Sequence, residues 1–132
     1  MLKKAKKKGA ITVVNTVYDF RNERQNPEKP WPLGNSGKSF PNIDILIMDN
    51  EEAKRISGYS SINNVVDFFT AKTSAFIITR GSESTFYSSN GKLFEQEFGE
   101  LPVSEQVSQS NQRKKYMGDT TGCGDNFVGG VV

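Results

Sequence analysis

The stretch Gly118-Asp119-Thr120-Thr121-Gly122-Cys123-Gly124-Asp125-Asn126-Phe127-Val128-Gly129-Gly130 decides how the chain is read. Small residues, with glycines at 122 and 124, let the backbone turn tightly, and Phe127, Val128, Val131 and Val132 then fall on one side of an apolar pattern. This spacing predicts a helix start. The first amides of a helix have no intrahelical partner and stand at the positive end of its dipole, so they attract phosphate oxygens. Glycines there let a phosphoryl group approach the backbone closely. Asp125 is out of place in a plain anion site, because a carboxylate repels the anion. A catalytic role removes the conflict: the carboxylate accepts the proton of an attacking hydroxyl while the amides stabilise charge on the phosphoryl oxygens. Helix capping by Asp119 or Asp125 is the simpler alternative. It explains one aspartate but not the glycine spacing.

Asp119-Thr120-Thr121-Gly122-Cys123-Gly124-Asp125-Asn126-Phe127-Val128-Gly129-Gly130 resembles the C-terminal signature of the ribokinase-like (PfkB-type) carbohydrate kinases, Asp-Thr-x-Gly-Ala-Gly-Asp-x-Phe-x-Gly-Gly. Cys123 takes the place of the alanine. The resemblance implies that Asp125 is the catalytic base and that the amides from Gly122 through Cys123 and Gly124 to Asp125 form the anion hole. It adds Thr121 to the nucleotide-contacting residues.

With 132 residues the chain suits one small domain. The kinases it resembles are about twice that length, a single α/β domain with a small β lid, so the resemblance implies a partial domain. Residues 1–132 are then expected to be the nucleotide-side, C-terminal half of a ribokinase-like fold, with the lid and the N-terminal sugar-binding half absent. Leu2-Lys3-Lys4-Ala5-Lys6-Lys7-Lys8-Gly9 reads as a helix end with cations at its negative pole and a glycine stop. Seventeen basic against fifteen acidic residues leave a net charge of +2, too small and dispersed for a nucleic-acid partner. The chain has no histidine and one cysteine, which excludes a histidine metal site or triad and an internal disulfide. Cys123 alone in the glycine loop fits a reducing cytoplasm. No run reaches transmembrane length, and the lysine-rich start lacks the apolar core of a secretion signal.

Taken in order, Gly9 to Tyr18 is β-branched and nearly continuously apolar, the pattern of a strand buried on both faces of a parallel sheet. Asp19 and Arg21 follow it, partly matching an Asp-x-Asn-x-Arg pattern of the family, with a surface ion pair as the alternative. From Asn22 to Pro41, prolines 27, 30, 32 and 41 predict a long loop packed by Trp31 and Phe40. Gly34-Asn35-Ser36-Gly37-Lys38-Ser39 within it imitates a phosphate-binding loop. Pro32 stands where that motif needs its first glycine, and Phe40-Pro41 where it needs a helix. Ile43 to Met48 is a second buried strand, and Asp49 to Gly58 a helix with an acidic first turn and a glycine stop.

Here the chain resembles the family's Asn-x-x-Glu motif, with Glu52 at the glutamate and Asp49 in place of the asparagine. The resemblance implies that Glu52, with Asp49 beside it, holds magnesium, through water as suits a cation that keeps part of its hydration. Ser60 or Ser61 caps a helix over Ile62 to Lys72, whose Ile62, Val65, Val66 and Phe69 form a core stripe. Ala75 to Gly81 is a third buried strand. Its ending, Thr79-Arg80-Gly81, resembles the family's Thr-x-Gly near the nucleotide phosphates, although a plain turn would also choose Gly81. Residues 84–98 read as a hairpin closed by a two-residue Asn90-Gly91 turn, and residues 99–117 as an irregular polar connection.

The fold expected is therefore α/β, with a mostly parallel sheet flanked by helices and a β-hairpin. The function implied by the resemblance is ATP-dependent transfer of a γ-phosphoryl group to a carbohydrate hydroxyl. ATP and Mg2+ are the implied cofactors, a small-molecule sugar is the substrate, and neither nucleic acid nor membrane is a partner. The resemblance leaves room for a homodimer of the full-length protein. The alternative is a non-catalytic nucleotide-binding or interaction module, because the sugar-binding half is missing. A basic RNA-binding domain is a third reading, marked by salt-dependent affinity.

Overall fold

The structure is a computed structural model that describes residues 1–34, 37–106, 108–109 and 123–131. Its elements are α1 (Leu2–Lys7), β1 (Val13–Asn15), α2 (Phe20–Gln25), a 3-10 turn (Phe40–Asn42), β2 (Ile45–Asp49), α3 (Asn50–Ser57), α4 (Ile62–Thr70), β3 (Ala75–Thr79), β4 (Ser84–Ser89), β5 (Glu97–Pro102) and α5 (Cys123–Val131).

The five strands form one sheet in the order β1-β2-β3-β4-β5. The sheet is mixed rather than mostly parallel. β1, β2 and β3 pair in parallel, Val13 opposite Ile45 and Ile45 opposite Ala75, whereas β4 runs antiparallel to both β3 and β5. The reason is the short connection from Thr79 to Ser84: five strands' worth of sheet cannot stay parallel when a turn this tight reverses the chain.

Alternation along the strands divides the core in two. Leu46, Met48, Phe76 and Ile78 face one side, where they pack with Ala53 and Ile56 of α3, Val65 and Phe69 of α4, and Trp31, Phe40 and Ile43. Ile45, Ile47 and Ala75 face the other, against Phe127 and Val128 of α5. The loop after α2 is held as expected, with Trp31 and Phe40 both buried. Trp31 donates its indole N–H to Glu23 at 3.0 Å and carries the Arg55 guanidinium over its ring.

Further expectations are corrected. β1 is only three residues long, and Ile11, Val17 and Tyr18 are exposed. It pairs only with β2, so residues beyond the ladder lack the second neighbour that would hold them extended. The proline-rich stretch begins with a helix, α2, because Asp19 caps it by accepting the Asn22 N–H at 2.9 Å. The Asn22 amide holds the Asp19 carboxyl below the ordinary value, and the nearby Arg21 charge lowers it further. The hairpin is present, but Ser89 pairs with Glu97, so the connection spans residues 90–96 instead of two. Leu93 packs against the second core cluster, which pulls the intervening chain out of the ladder. β5 then continues to Pro102, into the stretch expected to be irregular.

At the opposite end of the sheet from the strands' carboxyl ends, Asp44 is buried and fully engaged. Its Oδ2 accepts from the Thr12 amide at 2.9 Å and lies 2.9 Å from the Thr12 hydroxyl, whose single proton is shared with the Asn42 carbonyl at 2.7 Å, and its Oδ1 accepts from Lys6 at 2.8 Å. Burial pushes the Asp44 carboxyl up, but the bonds from Lys6 and Thr12 together outweigh it and hold it below 3.8. A carboxyl lowered in the folded state adds stability above its unfolded value and loses it as pH falls through the folded one. Asp44→Asn is therefore expected to cost denaturant stability near neutral pH, with the difference from wild type shrinking as pH drops below 3.8. Urea melts of both proteins at the two pH values check this.

Candidate functional site

The sheet's carboxyl ends gather polar residues from five segments. β2 ends in Asp49, which lies opposite Thr79 of β3 in the parallel register. The chain then turns at once into α3, because Asp49 and Glu52 form a reciprocal capping box. Asp49 Oδ1 accepts the Glu52 N–H at 2.8 Å, and Glu52 Oε2 accepts the Asp49 N–H at 3.1 Å. α3 stops at Gly58, whose φ of +78° is the left-handed conformation that favours glycine. Its missing side chain also leaves room for Pro30, whose Cγ would lie 2.9 Å from a Cβ there.

Asn15, Thr16, Asp49, Glu52, Thr79 and Gly124 line one small cleft of about 90 Å³. Glu52 is buried, while Asp49 is exposed. Thr16, the residue after β1, donates its hydroxyl to Glu52 Oε2 at 2.5 Å. On the far wall Gly124 stands in the first turn of α5, between Cys123 and Asp125, where helix amides as a rule have no intrahelical partner. Asp125 sits inside that turn, exposed, and accepts from Asn15 Nδ2 at the long distance of 3.5 Å. It is therefore not the capping residue of α5. A Cβ added at Gly124 would meet nothing within 4 Å, so the backbone is uncrowded on that side.

Other expected residues fare differently. Asp119, Thr121 and Gly122 lie outside the described residues. Cys123 is exposed and does not line the cleft. Gly81 is also off the cleft; its φ of +59° serves the turn in which the Arg80 N–H meets the Ser84 carbonyl at 2.9 Å. Asn15 and Thr16 were not singled out by the sequence reading. The signal was there: an Asn-Thr pair breaks the apolar run at the carboxyl end of the first strand, where open α/β sheets collect ligands.

Among the described residues no group of three or more histidine, cysteine or acidic side chains is placed to hold a metal ion. Asp49 and Glu52 instead offer a pair of carboxylates beside the Thr16 and Thr79 hydroxyls. An all-oxygen, incomplete donor set suits a hard divalent cation that retains water, and fits magnesium better than a soft metal.

The fold is shared with solved kinases. The chain is similar to aminoimidazole riboside kinase from Salmonella enterica at 18% identity and a TM-score of 0.67, covering 98% of this chain and 38% of that one. It is similar to adenosine kinase from Sinorhizobium meliloti at 16% identity and a TM-score of 0.66, covering 94% and 32%. It is also similar to a fructokinase with bound ATP from Xylella fastidiosa at 17% identity and a TM-score of 0.63, covering 98% and 36%. The chain thus spans about a third of the length of these structures. No curated protein matches it by sequence. The family model described as pfkB family carbohydrate kinase matches residues 5–132, nearly the whole chain, and with that the chain belongs to the pfkB family of carbohydrate kinases.

Proposed function

We propose that the protein carrying this chain transfers the γ-phosphoryl group of ATP to a carbohydrate hydroxyl, and that residues 1–132 are its nucleotide-side, C-terminal part. The observation that carries the reading is the single cleft in which Asp49, Glu52, Thr79 and the Gly124 amide meet, with Asp125 on its rim.

In this reading Asp125 takes the proton of the acceptor hydroxyl as its oxygen attacks the γ-phosphorus. The bond from that phosphorus to the β,γ-bridging oxygen breaks, and ADP leaves with the electron pair. Amides of Gly122, Cys123, Gly124 and Asp125 receive the charge on the phosphoryl oxygens, and a single donor of this kind is worth about 10²–10³-fold in rate. Thr79, Gly81 and Thr121 contact the nucleotide. Asp49 and Glu52 would hold magnesium, which when bound would supply neutralisation of phosphate charge. The reaction places the protein in the cytoplasm, and no helix among the described residues is long and apolar enough to cross a membrane.

A second reading applies to the isolated 132 residues. Their length against the solved kinases favours a nucleotide-binding module that does not turn over sugar by itself. Coupled assay of ADP formation across a panel of sugars and nucleosides tests both. Acceptor-dependent turnover by the intact protein is expected, with little or none from residues 1–132 alone. An intact protein that produces no acceptor-dependent ADP would sink the kinase reading.

A further inference from the structure

We propose that Thr16 is a positioning residue that aims Glu52 at the magnesium–phosphate end of the cleft, an inference that rests on the kinase reading above. Two oxygens lie near its hydroxyl: Glu52 Oε2 at 2.5 Å and the Ile47 carbonyl at 3.4 Å. A hydroxyl has one proton to give, and only the shorter contact lies within ordinary O–H···O hydrogen-bond range. The proton therefore goes to Glu52. The capping box alone would leave the Glu52 carboxylate tied to its own helix, through the Asp49 N–H at 3.1 Å. Thr16 adds a second tether from a different strand.

Both bonds fall on Oε2. Among the described residues Oε1 is thus left for a ligand, and with Oε2 fixed from two directions the carboxylate plane can no longer rotate. Thr16 is itself held, since its amide donates to the Ile47 carbonyl at 3.0 Å and so continues the β1–β2 ladder. The direction of Glu52 is thereby referenced to the sheet, on which Asp49 and Thr79 also stand. Ordering a water-mediated ligand this way lowers the cost of assembling the site when cation and nucleotide arrive.

The test uses the intact protein and three substitutions, Thr16→Val, Thr16→Ala and Thr16→Ser, with ATP binding followed by calorimetry over a magnesium titration. Removing one bond to a charged carboxylate is expected to raise the Mg2+ concentration for half-maximal ATP binding about tenfold in both Thr16→Val and Thr16→Ala. Thr16→Ser keeps the hydroxyl and is expected to stay within about threefold of wild type. A purely structural role would move melting temperatures and leave the metal requirement of the folded variants unchanged. Wild-type metal dependence in Thr16→Val or Thr16→Ala overturns the proposal. So does an equal defect in Thr16→Ser, or wild-type ATP binding that is indifferent to Mg2+. Acceptor-dependent ADP formation is assayed in parallel on wild type, so failure of the kinase reading appears there, separately from the metal titration.

Discussion

Asp125→Asn in the intact protein is expected to lower kcat by about 10²- to 10⁴-fold, the span that general-base catalysis supplies, with KM for acceptor and ATP near wild type. The asymmetry follows from where the side chain sits. Asp125 lies in the first turn of α5, exposed, with one long contact to Asn15 at 3.5 Å among the described residues and no role in either core cluster. Exchanging a carboxylate for an amide of the same shape leaves the amides of the turn in place. Phosphate binding should therefore survive, and even gain slightly from the loss of a like charge, while the proton of the attacking hydroxyl has nowhere to go. Steady-state kinetics of the variant check the split. Turnover near the wild-type rate would remove Asp125 as the base.

The second large effect concerns stability. Phe69→Ala should destabilise the folded state by about 3–5 kcal/mol, the usual cost of emptying a buried aromatic site. Phe69 is completely buried, and its ring lies 5.1 Å from Phe68, 6.0 Å from Phe76 and 6.3 Å from Phe40. These neighbours come from α4, β3 and the 3-10 turn, so no single element can collapse into the hole. Native stability of a small domain is typically about 5–15 kcal/mol, so the loss is a large fraction of the whole. Urea denaturation gives the number directly. A change under about 1 kcal/mol would mean the site repacks freely, contrary to the three-sided contact.

These two residues also mark what the sequence made readable. Phe69 was visible because its helix has one apolar stripe, and β2 with α3 was visible because a buried run meets an acidic first turn and a glycine stop within a few residues. Local patterns of that kind need no knowledge of the tertiary structure. The order and direction of strands did, since they depend on how the chain reverses between Thr79 and Ser84. α2 was hidden by the prolines that follow it, and the hairpin connection by Leu93, whose attraction to the sheet no short-range turn rule records. At the site, Asp49, Glu52, Thr79 and Gly124 were implied by the resemblance to family motifs, and the structure lines one cleft with them. Asn15 and Thr16 escaped notice because they close a run that reads as plain strand. Only the parallel register of β1 against β2 brings Thr16 across to Glu52.

The same parallel register bears on how the cleft comes into being. Each of its two parallel pairings closes a loop of about 30 residues, and such closures cost chain entropy before any contact repays it. Thr16, Glu52 and Thr79 therefore become neighbours only after both ladders have zipped, and Gly124 only once α5 has docked on the finished sheet. A nucleotide bound at the proposed site would therefore favour the native state, and is expected to raise the melting temperature with its concentration while leaving the rate of the first folding steps untouched.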